Sequence, residues 1–235
     1  MFRNLFANVR AKSPLVHNIT NYVTVNDCAN IVLACGASPI MADDAAEVED
    51  ITSLCAGLNL NIGTLNSRTI PSMLLAGHTA NRLGRPVVLD PVGAGASHLR
   101  TETALRLLRE VKFTVIRGNI SEIRTLAAGS GTTKGVDADA ADKVTDETLD
   151  KTVAFAKAFA ARTGAVVAVT GAIDIVADGE RASARPTAAG RCRPPRVCSR
   201  PRGTSPSAPP RRWIRASGSA RSPPTRTGRP SIRAP

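Results

Sequence analysis

Several things are missing from this 235-residue sequence, and each absence closes off a class of protein. No uninterrupted apolar run exceeds about five residues (Ala165 to Val169), against the roughly 20 that a membrane-spanning helix requires. The stretch from Met1 to Val16 is broken by Arg3, Arg10 and Lys12, so no secretory signal is expected there. The five cysteines, Cys28, Cys35, Cys55, Cys192 and Cys198, include no Cys-x-x-Cys pair, which argues against structural zinc. The first three sit in apolar contexts and read as buried thiols of a cytoplasmic protein. There is no Walker A sequence: the nearest stretch, Gly129-Ser130-Gly131-Thr132-Thr133-Lys134, has the wrong spacing. Nor does a G-x-G-x-x-G open a helix, so a Rossmann dinucleotide site has no support.

The last absence is of acid. Residues 183–235 hold no Asp, no Glu and no Lys, but 13 Arg and 11 of the 16 prolines. The formal net charge of +12 therefore belongs to this tail. Residues 1–182 carry 18 basic and 19 acidic residues, a net charge of −1. A basic balance is usually a nucleic-acid or membrane signal, and here it says nothing about the first 182 residues. That stretch suits one domain with a sizeable core.

Within it, two periodicities alternate. Strand-length apolar runs occur at 58–62, 87–89, 113–116 and 166–169. Helical spacing occurs at 22–35, 69–83 and 99–111, and most clearly at 146–162. Thr145 is placed to cap the last of these, Asp146 and Glu147 suit its positive end, and Gly164 follows its final turn. Residues 173–177, after the turn at Gly171, are expected to return as an antiparallel hairpin strand. The pattern predicts an α/β domain, a mostly parallel sheet with helices on both faces. After Arg181 neither period is recoverable, and the composition predicts disorder.

Three strands run into polar, glycine-containing turns: Asp90-Pro91-Val92-Gly93-Ala94-Gly95, Arg117-Gly118-Asn119 and Thr170-Gly171. In an open parallel sheet such ends share one edge, where ligands bind. Glycines there let backbone amides approach an anion, and helix N-termini favour negative charge. Any one of these turns is explained by tight βα geometry; three together favour a phosphate-binding edge. Glu122 has the spacing of a capping box with Asn119, and equally that of a carboxylate near Asp90 able to hold a magnesium ion through water. His17 opens the polar stretch His17-Asn18-Ile19-Thr20-Asn21, either as a hydrogen-bonded structural residue or as part of a ligand-facing loop. Met41 is core by default.

In order along the chain stand His17-Asn18-Ile19-Thr20-Asn21, Gly36-Ala37-Ser38-Pro39-Ile40-Met41, Asn61-Ile62-Gly63-Thr64-Leu65, Asp90-Pro91-Val92-Gly93-Ala94-Gly95, Ile116-Arg117-Gly118-Asn119, Lys134-Gly135-Val136-Asp137 and Val169-Thr170-Gly171. Together these segments give residues 1–182 a close resemblance to the hydroxyethylthiazole kinases of the ribokinase-like superfamily. The resemblance implies transfer of the ATP γ-phosphate to 4-methyl-5-(2-hydroxyethyl)thiazole in thiamine biosynthesis, with Mg²⁺. It implies that Met41 contacts the thiazole, that Arg117 and Thr170 contact ATP, and that Asp90 and Glu122 serve the metal. It further implies a homotrimer with the thiazole site at a subunit interface. The physical reading agrees, since phosphoryl transfer needs positioning and positive charge rather than covalent chemistry, and Arg117 offers a forked set of donors.

The sequence departs from the family after Gly179. The family continues to a Gly-Thr-Gly-Cys-like segment whose amides form an anion hole, and no such segment follows here. Cys198, in Arg196-Val197-Cys198-Ser199-Arg200, lacks the glycines, so the catalytic position is unassigned. The tail's Arg, Pro, Ser, Ala, Gly and Thr are what GC-rich coding sequence gives when read out of frame. The expectation is thus an incomplete kinase-like domain over 1–182, an aberrant tail over 183–235, and impaired turnover. Two other readings are a non-catalytic thiazole- or nucleotide-binding remnant and an Arg-rich tail that binds nucleic acid without sequence preference. The last is the weaker, because one Trp and no Tyr or Phe in the tail give almost no stacking platform.

Overall fold

The structure, a computed structural model, describes residues 2–129, 144–145 and 147–186. Lys134-Gly135-Val136-Asp137, Cys192, Cys198 and the tail from residue 187 onward lie outside the described residues. The first half of the fold comprises α1 (Phe2–Lys12), β1 (Leu15–Ile19), α2 (Val25–Cys35), β2 (Ser38–Ile40), α3 (Val48–Leu54), β3 (Gly57–Asn61), α4 (Thr69–Arg82) and β4 (Val87–Asp90). It continues with α5 (His98–Glu110), β5 (Val115–Asn119), α6 (Ile120–Ala128), α7 (Leu149–Thr163), β6 (Val166–Thr170), β7 (Ile173–Ala177) and β8 (Ala182–Pro186).

Alternation of burial along the strands shows why they form. Leu58 and Leu60, Val87 and Leu89, Val167 and Val169, and the single Ile116 and Ile175 are all sealed from water. Their neighbours Asn59, Val88, Val115, Val166 and Ala168 are half-buried. The eight strands form one sheet in the order β2-β1-β3-β4-β5-β6-β7-β8. Pairing is parallel from β2 through β6, and β7 and β8 join antiparallel. The chain steps one way from β1 to β2, then reverses and proceeds the other way from β3 onward. Right-handed crossovers therefore put α3 to α7 on one face and α2 on the other. The expected mostly parallel sheet is present, but its cover is uneven: one face of β3–β7 is sealed and the other half-open among the described residues.

The expected hairpin strand at 173–177 is β7. Differences have local causes. The first expected helix begins at Val25 rather than Tyr22, because the Asn21 side chain accepts both the amide and the hydroxyl of Thr24, each at 3.0 Å, and turns the chain there. The helix expected from Asp146 begins at Leu149, with Thr148 and not Thr145 at its cap position. Thr145 is engaged in a turn of its own, its amide donating to the Thr148 hydroxyl at 2.9 Å. Gly164 ends that helix as expected, in the left-handed region at φ 71° with its amide on the Ala160 carbonyl. The domain boundary expected after 182 falls inside β8, which runs to Pro186. An exposed edge strand forms by backbone pairing alone, so it needs no apolar pattern. Of the three cysteines expected to be buried, Cys55 is; Cys28 and Cys35 are half-buried.

Candidate active site

The carboxyl ends of β3, β4, β5 and β6 meet at one edge of the sheet. Register places Asn61 beside Asp90 and Asn119 beside Thr170, with Arg117 opposite Ala168. Because side chains alternate along a strand, Arg117 and Thr170 share a face. The Arg117 guanidinium donates to Asp90 Oδ2 at 3.0 Å, and the Asn61 amide nitrogen donates to the same oxygen at 3.0 Å. Asp90 Oδ1 is buried and has no hydrogen-bond partner among the described residues. Its side chain is 16% exposed against 52% for Arg117, so the acid is held and the base reaches outward. Burial pushes the Asp90 carboxyl above the ordinary range, against the pull of Arg117 and Asn61. The Thr170 hydroxyl donates to the Gly118 carbonyl at 3.3 Å, tying the end of β6 to β5.

Glu122 makes the expected capping box: its amide donates to Asn119 Oδ1, and its Oε2 accepts the Asn119 amide, both at 2.8 Å. Its second oxygen accepts the Gly93 amide at 2.9 Å, so the same carboxylate holds the turn that follows Asp90. Burial raises its carboxyl, the neighbouring Asp90 adds to this, and the two amides oppose it. The turn is gripped from the other side by Arg100, which donates to the Val92 and Gly63 carbonyls at 3.3 and 2.8 Å. Asp90, Arg117 and Glu122 are thus together, and Thr170 borders them.

Met41 stands apart, just beyond β2. By strand order it lies three strands from Asp90, about 14 Å at the usual spacing. It is half-buried, not core, and with Asn18, Thr20, Tyr22, Val25, Ala42 and Asp43 it lines a small pocket of about 120 Å³. The Tyr22 hydroxyl donates to Asp43 at 2.8 Å across this pocket. His17 is not in a ligand-facing loop. It is fully buried in β1, between the Ala42 carbonyl at 2.8 Å and the Thr52 hydroxyl at 2.9 Å. Sequence reasoning assigned no role to Asn61, although a polar residue ending an apolar strand, as Asp90 does, was the available signal.

The free, buried Asp90 Oδ1 is a hard ligand suited to a divalent cation. Glu122, with each oxygen already on an amide, can reach one through water. No cluster of three or more His, Cys, Asp or Glu capable of caging a metal occurs among the described residues. A cation here would have to share its remaining positions with water and phosphate, as a hard ion that keeps its water does. A cleft of about 850 Å³ opens at the opposite edge of the sheet beside Arg85, Lys112 and Glu180 and holds none of these groups.

Residues 6–187 match the model of the hydroxyethylthiazole kinase family. A hydroxyethylthiazole kinase of Clostridium acetobutylicum is 69% identical over 182 residues, which cover 77% of this chain and 67% of that one. One from Desulfovibrio desulfuricans is 60% identical over 177 residues, covering 75% of this chain and 62% of the relative. The solved structure of hydroxyethylthiazole kinase protein from Pyrococcus horikoshii OT3 superposes with a TM-score of 0.67 at 39% identity, covering 77% of this chain and 65% of that one. The chain thus spans about two thirds of the length of the curated relatives it matches. The sheet is the mostly parallel one that the motifs implied, and the chain belongs to the hydroxyethylthiazole kinase family.

Proposed function

We propose that this chain carries the binding site of a kinase that transfers the ATP γ-phosphate to the hydroxyl of 4-methyl-5-(2-hydroxyethyl)thiazole in thiamine biosynthesis. The observation that carries this reading is Asp90: a buried carboxylate with one oxygen free, held by Arg117 and Asn61 at the ligand-binding edge of the sheet. Arg117 and Thr170 bind ATP, the arginine by turning its exposed guanidinium from Asp90 to phosphate oxygens. Met41 and its small pocket take the thiazole ring. Asp90 directly, and Glu122 through water, hold Mg²⁺, which when bound neutralises charge on the transferring phosphate.

No described residue is assigned to the proton of the substrate alcohol. The residues beyond Gly179 lack the glycine-rich segment whose amides would receive the developing charge, so turnover is impaired. Assembly as a homotrimer is supported by α2, which has no buried residue of its own and leaves Ile31 and Leu33 more than half exposed. A cytoplasmic location is supported by the free thiols of Cys28, Cys35 and Cys55. No helix among the described residues is long and apolar enough to cross a membrane.

The test is to give the purified chain Mg-ATP and the thiazole alcohol, with ADP release and calorimetric binding read in parallel. Binding of both ligands with ADP release far below the roughly 1–100 s⁻¹ of ordinary kinases is expected. Full turnover would overturn the impairment, and absence of binding to either ligand would overturn the site.

A further inference from the structure

We propose that Asn61 is a positioning residue that ties the two halves of this site together, fixing Asp90 with its amide nitrogen and the Asn21–Thr24 loop with its amide oxygen. The proposal rests on the functional reading above. Asn61 ends β3, the strand between the pocket side of the sheet and the Asp90 side, and is 8% exposed. Its Oδ1 accepts the Gly63 amide at 2.9 Å and the Asn21 side-chain amide at 3.2 Å, while its Nδ2 donates to Asp90 at 3.0 Å. The chemistry of the partners fixes this orientation. A backbone amide only donates and an ionised carboxylate only accepts, so the side chain cannot be turned over without losing both.

The line extends at each end. Asn21 uses its own oxygen to hold Thr24, which sets the entry to α2. Beside it, the Tyr22 amide donates to the Thr64 hydroxyl at 3.1 Å, and the Tyr22 ring lines the Met41 pocket. On the other end, Asp90 Oδ2 is shared by Asn61 and Arg117. Once Arg117 moves to a phosphate, Asn61 is the remaining partner that keeps the carboxylate from rotating, and Oδ1 stays presented for the metal. The crossing is tight: a Cβ on Gly63 would sit 2.9 Å from the Asn21 Cβ and 3.0 Å from Asn61 Oδ1. Nothing larger than glycine fits beside the tie.

Two single-atom changes cut one link each. Asn61→Asp keeps the acceptor for Gly63 and Asn21 but replaces the donor to Asp90 with an oxygen. Asn21→Asp keeps the acceptor for Thr24 but loses the donor to Asn61. Calorimetry should show Mg-ATP affinity falling tenfold or more in Asn61→Asp, with affinity for the thiazole alcohol within about twofold of wild type. Asn21→Asp should show the reverse pattern. A purely structural role would weaken both ligands in parallel with a fall in thermal midpoint, and that result overturns the proposal, as does Asn61→Asp binding Mg-ATP like wild type. A ligand-free readout separates this from the functional reading: in the NMR spectrum of the unligated wild-type chain, the side-chain NH₂ protons of Asn61 and Asn21 should exchange slowly with solvent. Fast exchange of either overturns the tie, whatever the ligands do. Slow exchange in a wild-type chain that binds neither ligand overturns the functional reading alone.

Discussion

His17 spends both ring nitrogens on the fold. A carbonyl can only accept, so Nε2 carries the proton toward Ala42, and Nδ1 accepts the Thr52 hydroxyl. This is a neutral imidazole, and burial holds its pKa below the ordinary value of 6.5. In the unfolded chain the ring protonates near 6.5, so the unfolded state binds more protons as pH falls below that value. Stability is therefore expected to be level above pH 6.5 and to fall as the pH drops toward 5. Urea unfolding of wild type and His17→Asn at pH 7 and pH 5 checks this. The variant should be less stable at pH 7 yet lose less between the two, and an equal loss in both would clear His17 of the effect. Sequence left His17 open between fold and ligand because polarity alone does not reveal burial. Arg117 is the opposite case. Its side chain is half exposed and its role was legible from its place at a strand end, so Arg117→Ala should weaken ATP binding by about 1.5–3 kcal/mol by calorimetry, the range for hydrogen bonds to charged groups. Unchanged affinity in a folded variant would remove the assignment.

At the scale of elements, the turn after β4 shows what holds a phosphate edge in shape. Gly93 lies at φ +73°, its amide is on Glu122, and a Cβ at this position would run into the Arg100 guanidinium. Gly93→Ala combines left-handed strain with the displacement of Arg100, which also holds Gly63. We expect a loss of about 1–3 kcal/mol in denaturant unfolding, with Mg-ATP affinity lowered as well, since the turn carries Asp90 at its start. A variant as stable as wild type would show that the turn adapts. Glycine after an apolar strand was readable as a turn, and Asn119 with Glu122 was readable as a capping box. That one carboxylate also reaches across to Gly93 was not readable, because the two are 29 residues apart and only the parallel pairing of β4 with β5 brings them together. The same limit explains β1. Its His17 and Asn18 are polar, so it reads as a loop, yet both are buried by pairing with β2 and β3. Strands with a plain apolar run, such as β4 and β6, needed no such context.

At the largest scale, the sheet of residues 2–186 has one face sealed and one half-open among the described residues. Register lines up Asn59, Val88, Val115 and Val166 across four parallel strands, and all four are half-buried. On the same face Ala168 pairs with Val176, which is 47% exposed. Parallel sheets are normally covered on both faces, and about a third of each relative's own length lies outside what this chain matches. The match ends at residue 187, one residue past β8, where the composition turns to Arg and Pro. We therefore expect that replacing residues 187–235 with the C-terminal third of the Clostridium acetobutylicum relative covers this face. Completing the burial of each valine contributes on the order of 1 kcal/mol, and each 1 kcal/mol raises the thermal midpoint of a domain this size by about 2–4 °C. A gain of roughly 5 °C or more is the expected outcome, together with ADP release at about 1–100 s⁻¹ once anion-hole amides stand beside Asp90. The coding DNA gives an independent check: a one- or two-base shift between codons 182 and 187 should restore a glycine-rich segment in frame. A chimera that gains stability but no turnover would show that the described site, and not the tail, is what limits catalysis. One that gains neither would show that the half-open face is not where the relatives' remaining third belongs.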